Sequence, residues 1–411
     1  MNRWLFIWRR TTRELWFRAG LYAVFGVVAA LAAVVAAPLV PTEMAERFGG
    51  ESVEQVLTIL ASSLLAVATF SLGAMVTAYT AVSSAATPRV ASLVTGDEAT
   101  QKSLSTFVGA FLYAIVGVTA INAHYYAAEG RAVLFLTSLM VVGLVAFRLL
   151  AWINRLSRLA RLGHMIELVE DHGTRALLEA ADRPNMGGRS GHLGPQSTPV
   201  FSQETGFVQN VDPDHLQKTA EAANTEIEVV AGPGTFVRRG EVLCRIGLVD
   251  ADEALCERFS SAFTLGRSRS FEQDPRFALT VLGEIAGKAL SPGINDPGTA
   301  VEIATTGVRL LDAWSGARQD ARGTVDKKYD RLCAGSLLEI DLLEDVFGPL
   351  IRYGAGDLRV AIQLQQALGS LAADRGALGR DATLLRKEAL RRSLAALSCP
   401  EDRARLKANI G

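Results

Sequence analysis

Long stretches of this chain contain no charged residue at all. These stretches cover residues 19–42, 55–88 and 103–128, and a fourth apolar run, 132–154, is interrupted only by Arg148. A helix that crosses the hydrocarbon core of a bilayer needs about 20 predominantly apolar residues. We therefore predict four transmembrane helices, at 19–41, 57–84, 104–124 and 131–153.

The segment ahead of the first run, 1–18, interleaves Trp4, Trp8 and Trp16 with arginines. This mixture is typical of a helix that lies on an anionic membrane surface. A cleaved signal peptide is the alternative, but its apolar region is only about 7–15 residues long, shorter than the run found here. We expect an interfacial leader followed by a retained first span.

Arginine is unevenly distributed around the predicted spans. The leader holds five arginines and three more follow the last span by residue 161, whereas the first loop, 43–54, has four glutamates and one arginine. Lys and Arg concentrate on the cytoplasmic side of membranes. We therefore expect a membrane protein with both termini cytoplasmic. Its cysteines would be reduced thiols in the cytosol: Cys244, Cys256, Cys333 and Cys399.

The region after the spans has a different pattern, because no further run is long enough to cross a bilayer. We predict an α-helical membrane protein with four transmembrane helices plus a cytosolic α+β region, a small β-rich module followed by helices. The expected divisions are an interfacial leader at 1–18, a four-helix membrane domain at 19–154, a helix extension and linker at 155–198, a β-rich module at 199–248 and a helical cytosolic domain at 249–411.

Within the cytosolic region, Asp212-Pro213 predicts a helix start, since Asp caps helices and Pro suits their first position. A strand is predicted near 330–336. The predicted helices of the last domain are 252–264, 272–290, 297–315, 339–353, 357–375 and 382–397.

Three segments resemble one protein family. They are ATFSLGAMVTAYTAVSSAATPRV, which runs out of the second span, FEQDPRFALTVLGEIAGKALSPGINDPGTA at 271–300, and FGPLIRYGAGD at 347–357. Together they are similar to the bacterial membrane-protein family known as domain of unknown function 2254, over most of the chain to about residue 375. The resemblance implies a bacterial inner-membrane protein with four spans and a cytosolic domain, and it transfers no biochemical activity.

The second span carries small and hydroxyl-bearing residues at spacings that place them on one helix face. They are Ser62, Thr69, Gly73, Thr77, Thr80 and Ser84. One interpretation is helix packing, because small residues allow close approach and hydroxyls bond across helices. The other is the lining of a pore, where hydroxyls replace part of the hydration shell of an ion.

The SPGINDPGTA run also has two interpretations. Pro292 and Gly293 can end one helix, while Asn295 or Asp296 can cap the next. Alternatively, Asn295 and Asp296 could bind a cation or polar ligand together with Glu272 and Asp274, which lie nearby in the sequence.

Two arginines lie at the predicted membrane boundaries. Arg148 is the only charged residue inside a predicted span and comes seven residues before Arg155, so we expect its side chain to extend to the interface. A buried ion-binding role is the alternative. Arg89 follows the second span and could contact lipid headgroups or the cytosolic domain.

The favoured function is a homo-oligomeric bacterial membrane channel for an inorganic ion, lined by the second span and gated or assembled by the cytosolic domain. The alternative is a membrane-anchored scaffold or sensor whose cytosolic domain binds a partner or small ligand. An enzyme is the least favoured class, because no nucleophile–base grouping is evident. No metal or cofactor is predicted, and a net charge of −1 argues against nucleic acid as a partner.

Overall fold

The computed structural model describes residues 12, 15–37, 52–95, 98–159, 161–321 and 328–409. The interfacial leader predicted at 1–18 lies almost entirely outside these residues, as does the predicted end of the first span. The described chain divides into two compact units, 12–165 and 166–409, and each is considered by itself.

The first unit, here the membrane unit, consists of helices. Its elements are α1 (Leu15–Ala36), α2 (Ser52–Ala85), α3 (Pro88–Thr95), α4 (Glu98–Asn122) and α5 (Ala128–Leu159). All but α3 are long and apolar enough to cross a bilayer, with apolar stretches at Trp16–Ala36, Ser52–Val82, Thr100–Asn122 and Ala128–Leu156. The prediction of four membrane helices is confirmed.

The membrane helices pack through small residues and large apolar side chains. At the contact between α1 and α4, a β-carbon built at Gly109 would lie 2.6 Å from the carbonyl oxygen of Tyr22, so the two backbones nearly touch. Further along α1, the Tyr126 hydroxyl donates to the carbonyl oxygen of Ala30 at 2.7 Å. Fully buried Leu57 and Phe107 form part of the core.

The second unit, here the C-terminal unit, combines short strands with helices. After α6 (Leu162–Asp182) and a 3₁₀ turn (Pro184–Gly187), the elements are β1 (Thr198–Phe201), β2 (Gly206–Val211), α7 (Pro213–Ala222), β3 (Ile227–Val229), β4 (Phe236–Val237), β5 (Val242–Ile246), α8 (Glu253–Ser260), β6 (Phe263–Gly266), α9 (Pro275–Ala289), α10 (Pro297–Asp320), β7 (Leu332–Ala334), α11 (Glu339–Tyr353), α12 (Leu358–Ala372), α13 (Ala377–Ala396) and α14 (Pro400–Ala408).

The strands form two small sheets, with the orders β1-β5-β3-β7 and β4-β2-β6. All pairings are antiparallel except that of β3 with β7, which is parallel and aligns Ile227 with Leu332 and Val229 with Ala334. Both sheets therefore include a strand from beyond residue 248, where the sequence predicted only helices and one short strand.

The helix predicted at 252–264 is too long at its carboxyl end. The helix α8 stops at Ser260, and Phe263–Gly266 forms β6, which pairs with Phe207–Val211 of β2. Without β6, the backbone groups on that edge of β2 would have no partner. The helix predicted at 339–353 has the same bounds as α11. The remaining predicted helices of this domain are present with shifted ends, and α9 and α13 begin at Pro275 and Ala377.

The sheets and helices of the C-terminal unit share a dense apolar interior. Val208, Leu216, Ile227 and Phe259 bring β2, α7, β3 and α8 together and are fully buried. Among the later helices, α9 contacts α11 and α10 contacts α12, with side chains such as Phe347 completely enclosed. This scaffold fixes the ends of β3, β7 and α9, which matter for the sites below.

Candidate functional site

The polar stripe predicted on the second span lies on the surface of α2. Its members are all exposed in the protomer: Ser62, Thr69, Gly73, Thr77, Thr80 and Ser84. A helix turns about 100° per residue, so these positions fall within a sector of about 80°. The stripe is thus a narrow polar band on one side of the helix.

The opposite side of α2 is the one that packs in the membrane unit. Ser71 follows Ser62 by nine residues, which is about 180° around the helix, and it is 2% exposed. The same buried side carries Leu57, Leu60, Leu64, Ala78 and Val82. The stripe therefore faces directly away from the packed interior, and packing within one protomer does not account for it.

The hydroxyl hydrogens of the stripe are used within α2 itself. Thr69 donates to the carbonyl oxygen of Leu65 at 2.8 Å, Thr77 to that of Gly73 at 3.0 Å, and Thr80 to that of Val76 at 2.6 Å. Ser62 and Ser84 bond to the preceding turn in the same way. A hydroxyl has one donor and two acceptor lone pairs. The stripe therefore presents oxygen acceptors to its surroundings.

Other hydroxyls join the helices inside the membrane unit. The buried Tyr113 hydroxyl lies 2.6 Å from the Thr137 hydroxyl and 3.1 Å from that of Ser138, and it bonds to the carbonyl oxygen of Leu134. These contacts hold α4 against α5. Polar contact between helices is thus made by residues outside the stripe.

The four residues expected to bind a ligand are not brought together. Asp274 caps the start of α9, whereas the backbone N–H of Asp296 donates to the carbonyl oxygen of Ala289, the last residue of that helix. A helix of 15 residues is about 22 Å long. The expected single site is therefore corrected to two locations, because a rigid helix separates its two halves.

Asp274 is a buried structural carboxylate. Arg269 donates to it through Nε at 2.6 Å and Nη2 at 2.9 Å, and the N–H of Arg276 donates to Oδ1 at 3.2 Å. Its side chain is 3% exposed. Burial raises the pKa of Asp274, while the Arg269 guanidinium opposes that rise. Both oxygens are occupied by protein donors.

Asp296 caps α10. Its carboxylate accepts from the N–H of Thr299 at 3.1 Å and from the Thr299 hydroxyl at 2.6 Å. These two donors lower the pKa of Asp296. Asn295 before it has φ +50°, in the left-handed region that Asn tolerates better than most residues. Local folding thus uses both residues, as the capping interpretation predicted.

Glu272 opens onto a cavity that the sequence did not predict. The cavity has a volume of about 310 Å³ and lies within the C-terminal unit. It is bounded by the ends of β3 and β7, the 3₁₀ turn, and the starts of α7 and α9. We call it the strand-end cavity, with Met186, Val229, Glu272, Trp314, Arg318 and Ser336 among its lining residues. Of these residues, only Glu272 stood out in the sequence as a candidate ligand-binding residue. The others form no recognisable motif, so no signal in one sequence could have identified them.

The two arginines expected at the membrane boundary lie on different helices. Arg89 is exposed at the second position of α3. Arg148 is half-buried in α5, and its Nε has no hydrogen-bond acceptor among the residues the structure describes. Their proposed contact with the membrane interface stays a prediction. In the described residues, no group of three His, Cys, Asp or Glu side chains is placed to hold a metal.

Four apolar spanning helices followed by a compact α/β region define an integral membrane protein. Comparison with known families agrees, since residues 12–370 match the family described as "Predicted membrane protein (DUF2254)". The chain belongs to that family, as the three segments singled out in the sequence indicated.

Individual relatives add little about activity. Uncharacterized proteins from Mycobacterium bovis and Mycobacterium tuberculosis are 31% identical over 112 residues, which is 26% of this chain. The match spans 22% of the length of those proteins. No solved structure matches the chain.

Proposed function

We propose that this protein is a homo-oligomeric channel of the bacterial inner membrane, in which α2 lines the ion pathway. The observation that carries the proposal is the orientation of the polar stripe, directly opposite the packed face of α2. In lipid, polar groups are unfavourable unless they meet a polar partner. A second copy of the chain can supply that polar partner, because its own stripe would face the first across water and no other protein is needed.

A closed ring of copies turns one stripe into a pore. One stripe encloses no space, but several stripes around a symmetry axis surround a pathway. Exposed apolar side chains flank the stripe on both sides, for example Leu65 and Phe70. These would seal the contacts between neighbouring copies and face lipid outside the ring.

The chemistry of the stripe favours a cation. Because the hydroxyl hydrogens of Thr69, Thr77 and Thr80 are donated to carbonyl oxygens of α2, their oxygen lone pairs are what the pathway would offer. Oxygen lone pairs replace the water that surrounds a cation in solution. The stripe carries no formal charge, so selectivity would depend on its oxygens and on pore width.

The distribution of arginine supports an orientation with both termini in the cytoplasm, which would place the C-terminal unit there as well. That unit would assemble or gate the ring. The proposal assigns it no catalytic reaction, no cofactor and no nucleic-acid partner.

A second candidate is a membrane-anchored sensor or scaffold, in which the spans only attach the C-terminal unit to the bilayer. The strand-end cavity favours it, because cavities of a few hundred cubic ångströms are typical ligand sites. The two candidates differ in one measurable property, which is ion flux through the reconstituted protein.

The test is single-channel recording of the full chain in planar bilayers, with oligomer size measured by native mass spectrometry. Thr77→Leu should lower cation conductance at least tenfold and leave the oligomer intact, since an apolar ring dewets a constriction. Thr77→Ser should conduct like the parent. Thr119→Leu is the matched control, because Thr119 is also exposed and bonds to its own helix, but on α4.

Absence of ion flux from the parent protein would overturn the channel and favour the anchored sensor. Equal conductance of Thr77→Leu and the parent would remove α2 as the lining helix. Loss of the oligomer in Thr77→Leu, without flux in the parent, would indicate that the stripe packs between copies.

A further inference from the structure

We infer that the strand-end cavity binds a small, flat organic anion, with an apolar ring system of one or two rings and one carboxylate-like group. The inference concerns the C-terminal unit alone and does not depend on whether α2 lines a pore. It rests on the position of the cavity, its walls, and the hydrogen-bond donors that line it.

The cavity lies where two parallel strands end. β3 and β7 run in the same direction, and the residues that follow them, Val230 and Gly335, both line the cavity. In open α/β sheets, ligands bind outside the carboxyl ends of parallel strands, where the chain turns away and leaves a crevice. Pro213 and Pro275, the first residues of α7 and α9, also face this space.

The walls are largely apolar and flat. Four prolines from separate segments line the cavity, together with Met186 and the indole ring of Trp314: Pro184, Pro213, Pro233 and Pro275. Proline rings are rigid, so such walls change shape little when a ligand binds. A volume of about 310 Å³ is at the lower limit for ligand sites. The cavity therefore suits a compact ring system rather than a dinucleotide or a lipid chain.

Several hydrogen-bond donors that line the cavity have no acceptor in the part of the chain that the structure describes. Trp314 is 2% exposed, yet its indole N–H donates to no acceptor within the described chain, whereas buried indoles usually have one. Among the described residues, the backbone N–H groups of Ser336 and Leu337 likewise have no acceptor. The acceptor oxygen of Asn185 is already occupied by the Ser336 hydroxyl at 2.6 Å. A ligand that pairs with these N–H groups must carry hydrogen-bond acceptors.

The charged groups around the cavity favour an anion among such ligands. Arg318 stacks over Trp314 with its Cζ 5.0 Å from the ring centre, and Glu339 holds it at 3.0 Å, so its guanidinium is fixed over the indole ring. Arg183 is 55% exposed, and the carboxylates of Asp182 and Glu179 approach it only to 3.7 and 3.8 Å. This arginine can therefore turn toward a ligand at little cost.

Two carboxylates also line the cavity. Glu179 is 60% exposed and can rotate into solvent, and Glu272 already interacts with other residues of the chain. The formal charges of Arg183, Arg318, Glu179 and Glu272 cancel, so the preference for an anion comes from the donors and not from net charge. It should therefore depend weakly on salt.

The test is isothermal titration calorimetry of the full chain in lipid nanodiscs, with empty nanodiscs subtracted. The probes share one ring system and differ in charge: naphthoate, neutral naphthamide and cationic naphthylmethylamine. We expect saturable binding of naphthoate, and binding of the other two that is at least tenfold weaker.

Variants locate the probe. Ala180→Leu extends a side chain into the cavity from helix α6 and should abolish binding. Trp314→Phe removes the indole N–H and should weaken binding roughly tenfold or more, the effect of one hydrogen bond to a charged group. Arg183→Gln should weaken it severalfold. Arg175→Gln on α6 and Trp152→Phe in the membrane unit are matched controls that should bind naphthoate like the parent.

Saturable naphthoate binding that Ala180→Leu abolishes, with both controls intact, would support the site. Absence of saturable binding would overturn the proposal, as would equal binding of all three probes. Binding that survives both Ala180→Leu and Arg183→Gln would place the probe elsewhere. If Trp314→Phe fails to fold, Ala180→Leu and Arg183→Gln still test whether the probe binds in the cavity, because neither residue belongs to the core.

Discussion

The backbone of Gly234 packs against the carboxylate of Asp274. A β-carbon built at residue 234 would lie 2.6 Å from Cγ of Asp274, closer than unbonded atoms approach, and Gly234 has φ +88°. Only glycine meets both conditions without strain. The turn before β4 and the start of α9 are therefore held together through a residue that has no side chain.

This contact predicts the effect of Gly234→Ala, and Gly240 provides a matched control. Gly240 has almost the same φ, +87°, but a β-carbon there would meet no atom within 4 Å. Gly240→Ala should cost about 1–2 kcal/mol from the left-handed backbone alone. Gly234→Ala should cost about 1–3 kcal/mol more through overpacking. Thermal unfolding in nanodiscs, followed by circular dichroism, measures the stability of both variants. Equal unfolding midpoints for Gly234→Ala and Gly240→Ala would contradict the contact.

Removal of Arg269 should strongly destabilise the C-terminal unit. Arg269→Gln leaves the Asp274 carboxylate buried without its cation, and breaking a buried pair costs about 3–5 kcal/mol. Asp274→Asn added to this variant should restore most of the loss, because Asn caps a helix about as well as Asp. Denaturant titration of the single and double variants tests this, and absence of rescue would assign Arg269 a different role.

The pH dependence of Arg269→Gln follows from the same pair. Burial raises the pKa of Asp274, and Arg269 opposes the rise, so the pKa in the variant should be higher still. The folded variant then binds a proton at a higher pH than the unfolded chain does. Its stability relative to the parent should therefore recover as the pH falls toward the ordinary Asp pKa of about 4. A difference that stays constant with pH would contradict this.

Asp296 should act as a helix cap. Asp296→Asn should have little effect, whereas Asp296→Ala should cost about 0.5–2 kcal/mol. Because the Thr299 donors lower the pKa of Asp296, its carboxylate stabilises the fold above the pKa of the unfolded chain, and this contribution is lost as the pH falls through the folded pKa. Thermal unfolding with and without magnesium measures the effect. Stabilisation by magnesium that disappears in Asp296→Asn would indicate a cation site instead.

Membrane orientation can be tested with thiol labelling. Ala127→Cys lies in the exposed turn between α4 and α5, and should react with an impermeant maleimide on intact cells or spheroplasts. Native Cys256 and Cys399 are free and partly exposed, and should react only after the membrane is permeabilised. The reverse pattern would invert the orientation derived from the arginines.

The sequence predicted the spans because lipid imposes a simple rule on long apolar helices. It also predicted the helix starts at Pro213 and Pro297, since an Asp-Pro pair fixes a start locally. The start of α9 was predicted three residues too early, at 272, although Asp274-Pro275 carries the same signal. Strand β6 was missed because Phe263 follows α8 after only two residues, which leaves no turn signal between a helical and an extended pattern.

The sites were less predictable for a related reason. Asp274 and Asp296 are close in sequence, yet α9 separates them in space. The pattern of the intervening residues did not show how far apart the two carboxylates would lie. The strand-end cavity is built from segments far apart in the chain, such as Met186 and Ser336, whose proximity depends on the pairing of β3 with β7. Trp314 by itself looks like an ordinary core residue on an amphipathic helix.

The parallel pairing of β3 with β7 has a consequence for the newly made chain. On the ribosome β5 can cover one edge of β3 almost at once, but the other edge must wait until β7 has been synthesised, about 100 residues later. At about 5–20 residues per second, the wait is on the order of 5–20 s. During that time an unpaired strand edge is exposed to neighbouring chains beside a membrane where the spans are already being inserted. The C-terminal unit is thus most vulnerable to misassembly during its synthesis. In a chain truncated before Leu332, this edge of β3 would stay unpaired.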